Sequence, residues 1–129
     1  MPIRTDAELT AFLSGNTFNS GVASFYFDPD GTVYATGIEG NIAAGSGQWR
    51  VNQRSAIHTT VVCYNITARA LRNSQIVTAD DGGCYWVKQL GSGRVLFDEP
   101  GLRDFYTVGP IPGFVARAEY NRQRRIVGL

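Results

Sequence analysis

A chain of 129 residues falls within the size of one domain, and its 43% hydrophobic and 12% aromatic content can bury a core without metals or a dense set of disulfides. Twelve basic against eleven acidic residues leave a formal charge of +1, so no global field draws the protein to nucleic acid. No apolar run is long enough to cross a bilayer, and Met1-Pro2-Ile3-Arg4 lacks the apolar core of a signal peptide; this reads as a cytoplasmic protein, or as a periplasmic or secreted one if a leader is removed ahead of Met1.

The first element in chain order is a helix. Thr5 followed by Glu8 forms a capping box, Leu9, Phe12 and Leu13 share one helical face, and Gly15 supplies a left-handed stop, which predicts a helix over 6–13. So short a helix is unstable alone, so its apolar stripe must cover a sheet or plug a barrel.

From Asn16 the hydrophobic period changes to two, and turn residues recur at intervals typical of an antiparallel meander running over 16–98. Segments 22–27 and 32–38 form a hairpin across Asp28-Pro29-Asp30-Gly31. Segment 47–52 alternates, with Trp49 and Val51 on one face and Gln48, Arg50 and Asn52 on the other. Segment 59–66 is β-branched and apolar on both faces, and its expected partner is 84–90. Between them, 68–71 reads as a helical turn, or 75–78 as a strand hairpinned through Asp80-Asp81-Gly82-Gly83; the second is preferred. Gly91-Ser92-Gly93 joins 84–90 to 94–98.

The density of Pro and Gly over 99–115 predicts a long exposed loop carrying Phe105, Tyr106, Ile111 and Phe114. The basic tail over 116–129 has helical potential and carries Arg117, Arg122, Arg124 and Arg125. The count predicts a single mainly β domain, a small antiparallel meander barrel of seven or eight strands with one short N-terminal helix.

Two cysteines and one histidine are too few for a structural zinc site, and no metal or other cofactor is expected. Opposed on paired strands, Cys63 and Cys84 would set Val62 against Tyr85 and form a disulfide; with 75–78 inserted between those strands, they would remain buried thiols. His58 is the only side chain with an unperturbed pKa near neutral, and no nucleophile elbow, zinc-protease pair, phosphate loop or Cys-x-x-Cys accompanies it. A conventional enzyme is therefore not expected.

At Leu13-Ser14-Gly15-Asn16-Thr17, Asp30-Gly31-Thr32 and Ser46-Gly47-Gln48-Trp49-Arg50-Val51, the chain resembles small bacterial secreted proteins of uncharacterised function with a lipocalin-like β-barrel layout. Cys63 and Cys84 fall roughly where that group carries paired cysteines. Gly47-x-Trp49 also looks like the lipocalin Gly-x-Trp signature, although here it stands well inside the chain. The resemblance implies an architecture rather than an activity.

The functional expectation is a non-enzymatic binding protein that holds an apolar or aromatic small molecule against Trp49, Tyr64 and Trp86. One alternative is an interaction or inhibitor protein that meets an envelope or secreted protein partner through Phe105, Tyr106, Ile111 and Phe114. The other is a cofactor-free isomerase or cyclase using His58 or carboxylates inside the barrel. Neither nucleic-acid binding nor membrane insertion is expected.

Overall fold

The computed structural model describes residues 5–54 and 59–129, so His58 lies outside the described residues. Helix α1 (Asp6–Leu13) begins as its capping box requires: Thr5 Oγ1 accepts from the Glu8 N–H at 3.1 Å and donates to Glu8 Oε1 at 2.8 Å. At Gly15, φ is +77°, a conformation glycine adopts without strain, and the chain turns there directly into the first strand.

Eight strands follow in an antiparallel meander: β1 (Asn16–Asn19), β2 (Ala23–Phe27), β3 (Thr32–Gly37), β4 (Ala43–Arg54), β5 (Thr59–Arg72), β6 (Gln75–Gln89), β7 (Arg94–Glu99) and β8 (Arg103–Pro112). Strand β8 returns to β1 and closes the barrel, with Asn16 opposite Pro112, Thr17 opposite Ile111 and Asn19 opposite Val108. The barrel and N-terminal helix are as expected; a second helix, α2 (Arg117–Ile126), follows β8.

Helix α1 plugs the end where β1 begins. Its Leu9 and Leu13 are fully buried among Phe18, Phe27 and Phe97. Phe27 and Phe97 are parallel at 6.2 Å, and Phe18 meets both edge-on at 5.8 and 5.7 Å. Trp49 belongs to this end: its indole Nε1 donates to the Asp28 carbonyl at 2.8 Å, and its ring stands edge-on to Phe27. Thr60 Oγ1 donates to Asp6 Oδ1 at 2.6 Å, tying the helix start to β5.

The other end is uneven because the strands differ in length. β4, β5 and β6 have 12, 14 and 15 residues, whereas β1 and β2 have 4 and 5. β6 pairs with β7 only from Trp86 opposite Asp98 to Gln89 opposite Val95, while it pairs with β5 from Arg72 opposite Gln75 to Val62 opposite Tyr85. The β5–β6 ribbon therefore rises past its neighbour and leaves a cleft between β6 and β8.

The Cys63–Cys84 disulfide, with an S–S distance of 2.04 Å, staples this ribbon across directly opposed residues. A closed loop of this length contributes about 3 kcal/mol in the chain-entropy account. The register is the one in which Val62 faces Tyr85, and no strand intervenes because 75–78 belongs to β6 itself.

Two expectations are corrected. Asp80-Asp81-Gly82-Gly83 is not a turn: β6 runs straight through it, and the reversal is the two-residue turn at Asn73 and Ser74, with φ of 50° and 64°. The glycines are needed for close approach. A Cβ on Gly82 would lie 2.2 Å from the Tyr64 carbonyl oxygen, and one on Gly83 would lie 2.1 Å from a Glu99 carboxylate oxygen. Nor is 99–115 a long loop, since 103–112 forms β8. Pro110 is tolerated because it sits where the β1–β8 register shifts, at a position that owes the ladder no N–H. Gly109 lets β8 pass Phe18, whose ring would lie 2.7 Å from an added Cβ.

Helix α2 lies on the outer face of β3 and β4, where Tyr120 and Val127 bury Ala44 beside Tyr34 and Phe114. Gln123 anchors it to the strand ends: its Oε1 accepts from the Ala43 N–H at 3.0 Å, and its Nε2 donates to the Gly37 carbonyl at 2.9 Å. Arg69 Nη1 donates to the Val127 and Gly128 carbonyls, satisfying oxygens at the helix C-terminus.

Candidate functional site at the barrel mouth

Inward positions along β5 run Val62, Tyr64, Ile66, Ala68, Ala70 from the plugged end to the mouth, and those along β6 run Val87, Tyr85, Gly83, Asp81, Ala79. Tyr64, Ile66 and Tyr85 are bulky, whereas Ala68, Ala70, Gly83 and Ala79 are small. Large side chains fill the plugged end, whereas the small ones above them leave room. Two hollows result, of about 290 and 410 Å³, both bounded by Val22, Phe25 and Asp81, so they adjoin at the mouth.

The larger hollow has aromatic walls. Phe25 on β2, Tyr85 on β6 and Phe105 on β8 converge, with Phe105 at 5.8 Å from Phe25 and 5.4 Å from Tyr85. Tyr64 lies behind them, stacked on Tyr85 at 5.3 Å and tilted against Phe25 at 6.2 Å. Strand parity places them: each occupies an inward position of a different strand, and β1 is too short to cover 103–107 of β8 from the other side.

A charged clamp bridges the cleft that the backbone leaves open. Arg103 Nη2 donates to Asp81 Oδ1 at 3.1 Å and to the Gly82 carbonyl at 2.7 Å, and its Nε donates to Glu99 Oε1 at 3.3 Å. The guanidinium also lies 5.9 Å from the centre of the Tyr85 ring. Side chains from β8 and β7 thus reach β6 where strand pairing has stopped. Asp104 rims the same opening.

The two tyrosines stay protonated. Burial pushes the Tyr64 hydroxyl far above its ordinary pKa, and the neighbouring Tyr85 and Asp81 add to the effect. Burial also raises Tyr85, while the Tyr64 hydroxyl and Arg103 pull the other way. The Tyr64 hydroxyl is buried and makes no hydrogen bond of acceptable geometry, although Tyr85 is close enough for each to shift the other's ionisation.

Of the residues expected to touch a small ligand, only Tyr64 stands behind this mouth. Trp49 belongs to the plugged end. Trp86 is on the outer face, paired with Asp98 and 5.8 Å from the Lys88 ammonium. The expected partner-contact residues do not share a surface. Phe105 turns inward, Phe114 stacks on Tyr26 at 4.6 Å beside α2, Ile111 is half-buried and pairs with Thr17, and only Tyr106 is well exposed, beneath Arg94.

Sequence reasoning missed Phe25, Tyr85, Asp81, Glu99 and Arg103 as a group. One signal was available: once Cys63 faces Cys84, Tyr85 must share the face of Val62 and Tyr64, and Trp86 must face away. No protein family, curated protein or solved structure matches the chain. Among the described residues, no group of three or more His, Cys, Asp or Glu side chains is placed to hold a metal ion, and no helix is long and apolar enough to cross a membrane.

Proposed function

We propose that the protein is a small non-enzymatic binding barrel that holds a ligand with an apolar or aromatic body in its open mouth, between β2, β6 and β8. The taper of the inward side chains carries this reading: the plugged end is filled, while small side chains at the mouth leave adjoining hollows of about 290 and 410 Å³. Rings facing a partly open space favour a flat or aliphatic group that removes them from water. Binding is favoured over catalysis because Asp81 and Glu99 are both engaged by Arg103, leaving neither as a free base beside the aromatic walls.

The test is titration with N-phenyl-1-naphthylamine, whose emission rises in apolar surroundings, alongside amide chemical-shift mapping. Shifts should concentrate at Phe25, Tyr85 and Phe105 and spare the α1 end. Filling the mouth with Val22→Trp, at an exposed residue that bounds both hollows, should abolish the response while the fold persists. Undiminished binding by that variant, or shifts confined to the outer surface, would remove the mouth from consideration. Tryptophan emission is a poor reporter, because Trp49 is at the far end and Trp86 is outside.

A further inference from the structure

We infer that the free edge of β6 over 75–81 pairs antiparallel with the same edge of a second copy of this chain, with Thr78 on the two-fold axis. Strand β6 pairs with β7 only over 86–89, yet its ladder with β5 runs out to Gln75, and residues 75–81 are all exposed. Strand parity tells which backbone groups this leaves unmet. The two-residue turn at Asn73 and Ser74 closes on Arg72 and Gln75, so that pair exchanges hydrogen bonds, and the N–H and C=O of Ile76, Thr78, Asp80 and Gly82 point to the outer edge. The Gly82 carbonyl obeys this rule, since Arg103 meets it from that side. Among the described residues, no strand lies against the edge groups of Ile76, Thr78 and Asp80.

Such an edge is a template for another strand, and this one lacks the usual protection. No Pro, Lys or register shift interrupts 75–81. Its two carboxylates are engaged within the chain, Asp80 by the Thr67 hydroxyl at 2.9 Å and Asp81 by Arg103 at 3.1 Å.

The backbone alone would accept any extended peptide; register and charge favour this chain. With Thr78 on the axis, Ile76 pairs with Asp80 of the second copy and Thr78 with its own counterpart, giving about six main-chain hydrogen bonds. On the inner face, Val77 meets Ala79 of the second copy, and Gln75 meets Asp81 of the second copy. Arg72, opposite Gln75 on β5, stands one strand further along that same row, and no carboxylate faces a carboxylate. Other registers fit worse. Sliding the copies inward drives each ribbon tip into the turn at 100–102 and then sets Asp80 against Asp80, while sliding them apart leaves Asp80 opposite Ser74 in the turn. The second copy's ribbon would lie over the cleft between β6 and β8, bringing its Val77 and Ala79 to the rim of the mouth. So short an edge engages far fewer than the about 20–30 residues a side of a standard interface, which makes the dimer weak and reversible.

Sedimentation velocity from about 10 μM to 1 mM should show a monomer–dimer equilibrium. Isotope-filtered contacts between labelled and unlabelled copies should join Val77 to Ala79. Thr78→Pro removes an edge-facing N–H and leaves the β5 ladder whole, so it should weaken the dimer about tenfold or more. Should that variant not fold, the exposed Ile76 serves instead: Ile76→Glu, opposite Asp80 of the second copy, should weaken the dimer, and Ile76→Lys should tighten it about threefold. A monomer throughout that range, contacts from another surface, or Glu and Lys at position 76 acting alike overturns the inference. A monomer whose 76–80 amides shift on adding a Thr–Val repeat peptide gives the edge to a foreign strand and overturns it too. No ligand enters these measurements, so their failure leaves the binding barrel standing.

Discussion

Tyr64 and the paired glycines of β6 are positions where this chain departs from what stability alone would choose. A buried hydroxyl without a partner carries its full desolvation cost, so Tyr64→Phe should stabilise the protein by about 1 kcal/mol in urea denaturation. A loss of stability would mean that the hydroxyl is satisfied in solution. Gly82 and Gly83 share nearly the same φ, yet they stand against different obstacles. At Gly82 the obstacle is the Tyr64 backbone carbonyl, which cannot yield; at Gly83 it is the end of the Glu99 side chain, which can rotate away. Gly82→Ala should therefore cost about 1–3 kcal/mol more than Gly83→Ala. The milder substitution should instead break the Glu99–Arg103 contact, visible as altered Arg103 side-chain resonances.

Elements with local signals were legible in the sequence, and those that depend on distant strands were not. The capping box at Thr5 and Glu8 names its own hydrogen bonds, and Gly91-Ser92-Gly93 names its own turn, with φ of 64° at Ser92 and 73° at Gly93. Asp80-Asp81-Gly82-Gly83 carries the same composition for another reason, close approach to β5 and Glu99, and composition cannot separate the two. The proline-rich stretch over 103–112 reads as loop until the register shift on β1 shows where a missing N–H is harmless. The aromatic mouth is half legible: residue type points to Tyr64, but only the register across Cys63 and Cys84 separates inward Tyr85 from outward Trp86.

Helix α2 illustrates the same dependence, since Gln123 acts only because Gly37 and Ala43 end their strands beneath it. That anchor is sensitive to acid. Glu119 accepts from Arg122 and from Gln123 Nε2, and these hydrogen bonds hold its carboxyl down to about 2. A depressed folded pKa stabilises the docked helix above the unfolded carboxyl's value of about 4.3, and that contribution is lost as pH falls toward the folded value. Amide exchange in α2 should therefore accelerate between about pH 4.3 and 2 before the barrel opens, and Glu119→Gln should flatten that dependence. An α2 that loosens only with the barrel as a whole would show that Glu119 has no part in docking.

For the whole molecule, closure is achieved in two ways along one axis. At the α1 end, the ring of strands is complete and its interior is filled by Phe18, Phe27, Phe97 and the helix stripe. At the mouth, the ring is completed by the Arg103 clamp, and the β5–β6 ribbon stands with Ile76 and Val77 exposed. Exposed ion pairs hold far less strongly than a packed strand interface, so the two ends should differ in local stability. Native-state hydrogen exchange should rank Val62 and Val87 with global unfolding and release the amides of 75–80 through smaller openings. A ligand seated against Phe25, Tyr85 and Phe105 would bind across β2, β6 and β8, so its saturation should slow exchange at 75–83 far more than at Val62 or Val87. Protection spread evenly over both ends would mean that the ligand stabilises the barrel as a whole, with no local closure of the mouth.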